Sequence, residues 1–121
     1  VRIAKPEGRV AGSFIKYART AVDFAVVDAA VCLWLEADKV QKARVVVGAT
    51  RATPWRSQAA EKLIAGHKLS PKRMSHAAAA AREEAQVLGD VRTDKEYRQR
   101  MVEVIVGRAL EQAAAHAKEQ G

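Results

Sequence analysis

Three charged residues interrupt an apolar stretch near the start of the chain and are the first candidates for a binding function. Lys16, Arg19 and Asp23 lie within eight positions of Ile15 and lead into the most apolar part of the sequence. The structural alternative is that these charges lie at a strand edge, where they would prevent pairing with other chains. Composition alone favours that alternative.

A second charged segment lies in the other half of the chain. Asp90 and Arg92 precede a predicted helix, and Tyr97 and Arg98 fall in its first turn. These residues could form a clamp of ion pairs in a loop. Exposed ion pairs contribute only about 0–1 kcal/mol each, so a structural role would require a partly buried network.

The usual catalytic and metal-binding patterns are scarce. The three histidines, His67, His76 and His116, are far apart in the sequence and lack metal-ligand spacing. Cys32 is the single cysteine, so the chain has no disulfide framework and no cysteine-based metal site. Within an apolar segment, a buried and inert thiol is the favoured interpretation.

The elements that would position these residues begin with strands. Residues 13–17 suit a short strand, and the mostly apolar, β-branched run at 23–35 suits a buried one, although its alanines also permit a helix. A third β-rich run at 40–48 follows a short polar connection, which favours an antiparallel hairpin over the helix. Pro54 then ends the strand pattern, because proline cannot donate to a ladder.

Three helices are predicted beyond this point. Ser57 can cap the first, which Gly66 would end in a left-handed conformation. Ser70 and Pro71 open the second, which continues towards Gln86. A capping box of Thr93 and Glu96 starts the third, whose apolar face is Met101, Val102, Ile105, Val106, Ala109, Leu110 and Ala113. The sequence therefore predicts an α+β fold, a small antiparallel sheet with three helices packed on one face.

Composition limits the remaining possibilities. The 121 residues suffice for one domain, and 25 of the 59 hydrophobic residues are alanine, which predicts a modest core completed by another domain or subunit. The net charge is +7, but the basic residues are spread thinly, so nucleic-acid binding is not expected. No apolar run reaches the ~20 residues of a membrane helix. The chain begins without Met or a secretory signal, so we expect a cytoplasmic protein that starts inside a longer one.

An ordered set of motifs covering about residues 10–113 resembles a known family. The set begins at the pattern Phe14-x-Lys16-Tyr17-x-Arg19 with Asp23-Phe24-Ala25, which resembles the signature of the flavoprotein subunits of the carbon monoxide dehydrogenase/xanthine dehydrogenase family. Each motif alone is weak, whereas their common order and spacing is specific. The others are Ala43-Arg44 with Gly48, Thr53 to Arg56, Ala60-Glu61-x-Leu63-x-x-Gly66, Asp90-Val91-Arg92, Glu96-Tyr97-Arg98, and Val106-x-Arg108-Ala109-Leu110.

The resemblance is to the C-terminal domain of the FAD-binding medium subunit. It implies that residues 1–12 form the linker and strand leaving an FAD-binding region that precedes this chain, and that residues 13–121 form the domain. It further implies an oxidoreductase in which electrons pass from a molybdenum cofactor through iron–sulfur clusters to FAD and an acceptor. The molybdopterin and the clusters would be held by a molybdenum subunit and an iron–sulfur subunit, and this domain would catalyse nothing alone.

The same resemblance assigns the first charged segment to the surroundings of the flavin. By motif position Lys16 and Tyr17 would contact the cofactor, and a positive charge there would favour reduced, anionic flavin. Arg19 and Asp23 would order the segment. Thr20 stands where the family has a second arginine. The alternative from another class is a free-standing dimerisation or protein-interaction module that docks through its alanine-rich helices and has no redox activity.

Overall fold

The fold is taken from a computed structural model, which describes residues 9–17, 27–37, 39–50, 53–85 and 95–120. Four strands precede three helices along the chain. The strands are β1 (Arg9–Tyr17), β2 (Val27–Glu36), β3 (Lys39–Gly48) and β4 (Trp55–Arg56). The helices are α1 (Gln58–Ile64), α2 (Pro71–Glu84) and α3 (Lys95–Gln120).

The strands form one antiparallel sheet in the order β1-β2-β3-β4. Strands that are consecutive in the chain are neighbours in the sheet, as is usual for sequential elements. Ala37 lies in the tight turn between β2 and β3 with a φ of 56°. Because side chains alternate across a strand, each strand presents one set of residues to the helices and the other set to the opposite face.

The helices form a layer on one face of the sheet. α3 packs across β1 and β2, α1 packs against β3, and α2 packs against α1 and α3. Leu33 and Val45 of the sheet and Ile64 and Leu110 of the helices are fully buried in the core between the layers. Each fully buried large aliphatic side chain contributes about 1.5–3 kcal/mol to folding.

Helix termini carry the expected capping residues. The Ser57 side chain accepts a hydrogen bond from the Ala60 amide at the start of α1, and Ser70 accepts one from Arg73 at the start of α2. Gly66 follows α1 with a φ of 81°, as predicted from its position. These local signals are therefore confirmed.

The predicted fold class is confirmed, with differences at the boundaries. β1 begins at Arg9 rather than at residue 13, because the edge of β2 continues far enough to pair with it. The sequence pattern did not predict β4, which has two residues directly after Pro54 and pairs with Val46 and Val47. α2 ends at Glu84, and the capping threonine at 93 lies outside the described residues.

Candidate functional site

Lys16 and Tyr17 are neighbours at the end of β1, but strand alternation places them on opposite faces of the sheet. Lys16 is exposed on the face opposite the helices and forms no ion pair within the described part of the chain. Tyr17 is half-buried beneath α3, where its hydroxyl and that of Tyr97 share a 2.8 Å hydrogen bond. One ligand on the exposed face could therefore reach Lys16 without reaching the Tyr17 hydroxyl.

The surroundings of Lys16 are set by the register of three strands. Asp28 of β2 lies opposite Lys16, and Gly48 of β3 lies opposite Asp28. A Cβ at position 48 would overlap the Asp28 carboxylate, so only glycine leaves room for that carboxylate in its present position. The row of three residues thus places one lysine and one carboxylate side by side at the end of the sheet.

The face that carries Lys16 is named here the open face. Its next row is Phe14, Ala30 and Val46, which lie opposite one another on β1, β2 and β3. Phe14 is 61% exposed. The other exposed large hydrophobic residue in the described ranges, Val104, is less exposed. No described helix packs on this face, so within the described ranges the helices cover the other side of the sheet.

The far end of the open face carries an aromatic residue with a cation over it. Lys42 Nζ lies 4.8 Å from the centroid of the Trp34 ring, and Trp34 and Lys42 are opposite each other on β2 and β3. Such a contact contributes about 0.5–1 kcal/mol at an exposed site. The open face therefore has an apolar row at Phe14, a lysine at each end, and Arg44 at its β3 edge.

Glu61 on α1 makes the main polar contacts at the outer edge of the sheet. One carboxylate oxygen accepts a hydrogen bond from the Val45 amide at 3.0 Å, and the Ser57 amide donates to the Val45 carbonyl at 2.8 Å. These two groups take over the pairing of β3 where the short strand β4 ends. Glu61 thereby provides a hydrogen-bond acceptor for the Val45 amide at the strand edge, which would otherwise be buried without one.

Two arginines flank the Glu61 carboxylate. Arg56 binds it through two nitrogens at 3.2 and 2.6 Å, and Arg44 Nη1 lies 3.7 Å from it while donating to the Ala43 carbonyl. Burial by itself raises the pKa of Glu61, but the hydrogen bonds from Arg56 and Val45 and the charges of both arginines outweigh it. The pKa of Glu61 therefore lies below its ordinary value, and the carboxylate stays charged near neutral pH.

The remaining polar and small residues fit structural roles. Burial raises the pKa of the half-buried Cys32 thiol, with Lys42 opposing the shift, so the thiol is weakly reactive. No group of three potential metal ligands occurs among the residues described.

The alanines Ala77, Ala78 and Ala81 of α2 are buried inside the helical layer, so this side of α2 presents no docking surface. Across the described ranges, no helix combines the length and the apolar character needed to cross a membrane.

The structure brings only part of the predicted site together. Lys16 and Tyr17 lie at the same end of the sheet. Arg19, Asp23 and Arg92 lie outside the described residues. The contacts of Tyr17 with Tyr97 and of Glu61 with its arginines were not predicted. A glutamate three residues before Ile64 on a short amphipathic helix is a signal that could have indicated the buried carboxylate.

Comparison with known proteins gives a family match over most of the chain. Residues 12–113 match the family described as the CO dehydrogenase flavoprotein C-terminal domain. The nicotine 6-hydroxylase medium subunit of Paenarthrobacter nicotinovorans is 28% identical over 112 residues, which are 93% of this chain and 38% of that protein.

Solved structures share the fold. A carbon monoxide dehydrogenase from Hydrogenophaga pseudoflava superposes with a TM-score of 0.86 at 27% identity, over 94% of this chain and 39% of that one. Quinoline 2-oxidoreductase from Pseudomonas putida 86 superposes with a TM-score of 0.84 at 25% identity, over 93% of this chain and 39% of that one. CO dehydrogenase from Oligotropha carboxidovorans superposes with a TM-score of 0.82 at 30% identity, over 89% of this chain and 38% of that one. The chain thus spans about two fifths of the length of these relatives.

Proposed function

Because the chain belongs to the CO dehydrogenase flavoprotein C-terminal domain family, we propose that it is the C-terminal domain of the FAD-binding subunit of a molybdenum-hydroxylase-type oxidoreductase. The family match over residues 12–113 is the observation that carries the proposal. In this role residues 1–12 lead from an FAD-binding region and residues 13–121 form the domain. The domain supports electron transfer from a molybdenum cofactor through iron–sulfur clusters to FAD and an acceptor, and it is not catalytic alone.

The open face is the surface on which the FAD-binding region would pack. It has an exposed apolar middle around Phe14, and the helices already cover the other side of the sheet. Exposed aromatic residues within an apolar patch are typical of surfaces that another domain covers. This assignment also accounts for the alanine-rich composition, since a domain with a small core relies on its neighbours.

Lys16 fits the surroundings of a flavin. It is an exposed cation at the end of the open face, without an ion-pair partner among the residues that the structure describes. FAD, when bound, supplies the centre that accepts electrons and passes them on. A lysine beside it would stabilise negative charge on the reduced flavin, and its aliphatic stem would pack on the sheet.

Tyr17, Arg19 and Asp23 complete the proposed site. Tyr17 holds β1 to α3 through Tyr97, and its side chain lies on the helix-covered face, away from Lys16. Direct contact between Tyr17 and the cofactor therefore stays a prediction from the motif. Arg19 and Asp23 are proposed to order the segment that follows β1.

The second candidate function is the interaction module without redox activity. The exposure of Phe14 favours the interaction module and the flavoprotein domain equally, because an exposed aromatic residue suits any protein partner. The alanine-rich side of α2 does not, because Ala77, Ala78 and Ala81 are buried within the domain. A full-length protein that binds no flavin but forms a stable homodimer would favour the module.

The test is a Lys16→Ala change in the full-length subunit, with Lys72→Ala as the matched control. Lys72 is an exposed lysine of α2, away from the open face. We expect Lys16→Ala to weaken FAD retention about tenfold, the equivalent of one lost charge contact of about 1.4 kcal/mol. Lys72→Ala should leave retention unchanged, as measured by flavin absorbance after dialysis.

A flavin content equal in both variants and in the unmodified protein would remove Lys16 from the site. Absence of any flavin from the unmodified full-length subunit would contradict the proposed function itself. The two outcomes are distinguishable because the first is a comparison between variants and the second concerns the parent protein.

A further inference from the structure

A cavity of about 280 Å³ lies at the outer edge of the sheet, between β3 and α1. Its position follows from the length of β4, which pairs only with Val46 and Val47 and leaves the earlier part of β3 uncovered on that side. The cavity is lined by the residues Gln41, Lys42, Ala43, Arg44, Arg56, Gln58, Glu61, Lys62 and Ala65. It is thus a recess beside the edge of β3, where it adjoins the open face through Lys42 and Arg44.

The charges around this recess are unbalanced. Four cations line it, Lys42, Arg44, Arg56 and Lys62, and Glu61 is the single carboxylate among the lining residues. The formal charge of the lining is therefore 4 − 1 = +3. Within a recess next to low-dielectric protein, such an excess produces a positive potential that attracts anions.

Glu61 arranges these cations as well as neutralising one of them. It fixes Arg56 through the Nε and Nη2 nitrogens, which leaves the Nη1 donors of that guanidinium free of the carboxylate. Arg44 is held by the Ala43 carbonyl and lies 3.7 Å from Glu61. Guanidinium groups already held in place lose less conformational entropy when they bind a carboxylate.

We infer that this recess docks carboxylate side chains from the acidic surface of a partner protein. The occupant is a protein because the cations adjoin apolar and amide groups, with Trp34 under Lys42 and Gln41 and Gln58 in the lining. Arginine with tryptophan is the composition typical of protein interfaces. The inference goes beyond the proposed function, since it concerns protein docking at the sheet edge and does not require FAD.

The experiment uses the full-length protein, separated from bound partners in high salt and returned to low salt. A fluorescent octaglutamate peptide is the probe, and its binding is measured by anisotropy. The test variant Lys42→Gln/Lys62→Gln removes two cations from the recess and keeps Glu61 and both arginines. The control variant Lys72→Gln/Lys118→Gln removes two exposed lysines that do not line it.

We expect the peptide to bind the unmodified protein and the control with similar affinity, and the test variant about tenfold more weakly. Binding should also weaken with added salt, because the attraction is between exposed charges. Circular dichroism establishes that each variant is folded. A separate Arg44→Gln variant should give a similar loss of peptide affinity, which tests the recess through an arginine rather than a lysine.

Equal affinity of test and control variants would overturn the inference, as would failure of the peptide to bind the unmodified protein. Tighter binding of a single-stranded oligonucleotide of the same charge, with the same sensitivity to Lys42→Gln/Lys62→Gln, would also overturn it and assign the recess to nucleic acid. Flavin content is measured on the same samples. A protein without flavin that still binds the peptide would contradict the proposed function and support this inference.

Discussion

The two faces of the sheet are built from alternate residues of the same strands, yet they have different surroundings. On the face toward the helices, Val31, Leu33 and Val45 are almost completely buried. On the open face, Phe14 is 61% exposed and Lys16 has no ion-pair partner in the described part of the chain. The first face is a finished core, whereas the second has the composition of an interface.

The difference indicates how the work of this domain is divided. Residues facing the helices stabilise the fold, whereas the proposed function assigns association with other domains to residues on the open face. A substitution on one face should therefore affect a different measurement from a substitution on the other. The following experiments separate the two.

The largest effect is expected on the covered face. Leu33→Ala removes a fully buried side chain and leaves a cavity, which should lower the free energy of unfolding by about 3 kcal/mol. Phe14→Ala, on the open face, should lower it by less than about 1 kcal/mol, because most of that side chain is already in water. Urea denaturation of the full-length protein, followed by a probe of this domain, measures both. Similar losses for the two variants would contradict the distinction between the faces.

A smaller loss is expected at the sheet edge. Glu61→Gln removes the charge that Arg56 and Arg44 surround and weakens the hydrogen bond from the Val45 amide. We expect a loss of about 2 kcal/mol, since the carboxylate is buried while its arginine partners are partly exposed. The same denaturation measurement gives this value, with Glu83→Gln on the exposed side of α2 as the control.

Glu61 also predicts a pH dependence with a definite sign. The pKa of this carboxyl is lower in the folded chain than its ordinary value of 4.5, mainly because the contacts with Arg56 and Val45 outweigh burial. Its stabilising contribution is therefore complete above about pH 4.5 and is lost as the pH falls through the lower, folded value. The difference in stability between the unmodified protein and Glu61→Gln should shrink below that pH. A difference that grows on acidification would contradict the assigned charge state.

A loss smaller than those of Leu33→Ala and Glu61→Gln is expected from Tyr17→Phe. The change removes the hydrogen bond to Tyr97 and should cost about 1 kcal/mol of stability. If Tyr17 acts by holding β1 to α3, the flavin content of the full-length subunit should stay unchanged while Lys16→Ala reduces it. A loss of flavin with no loss of stability would instead place the Tyr17 hydroxyl at the cofactor.

The sequence predicted the elements better than it predicted the faces. The hairpin and the helix caps at Ser57 and Ser70 follow from local rules, and they formed where expected. In β1, however, Phe14 and Ile15 are both large and apolar, so the alternation does not indicate which face is covered. Tertiary packing against α3 decides it, so that Tyr17 lies on the covered face and Lys16 on the open face.

The sheet edge could not be foreseen for a related reason. β4 has two residues and follows a proline, which is too short for any periodic pattern. Because β4 is so short, Glu61 from a distant part of the chain completes the pairing of Val45. A side chain that replaces a strand partner leaves no local signal, apart from a carboxylate on the buried side of a helix.

The proposed packing of the open face against the FAD-binding region of the same subunit is the basis of the functional assignment. Its most direct test is the flavin content of the full-length subunit carrying Phe14→Glu, compared with Val104→Glu. Phe14 and Val104 are the two exposed large hydrophobic residues of the described ranges, one on the open face and the other on α3. We expect loss of FAD from Phe14→Glu and full retention in Val104→Glu, with both variants folded. Full retention in both would contradict it.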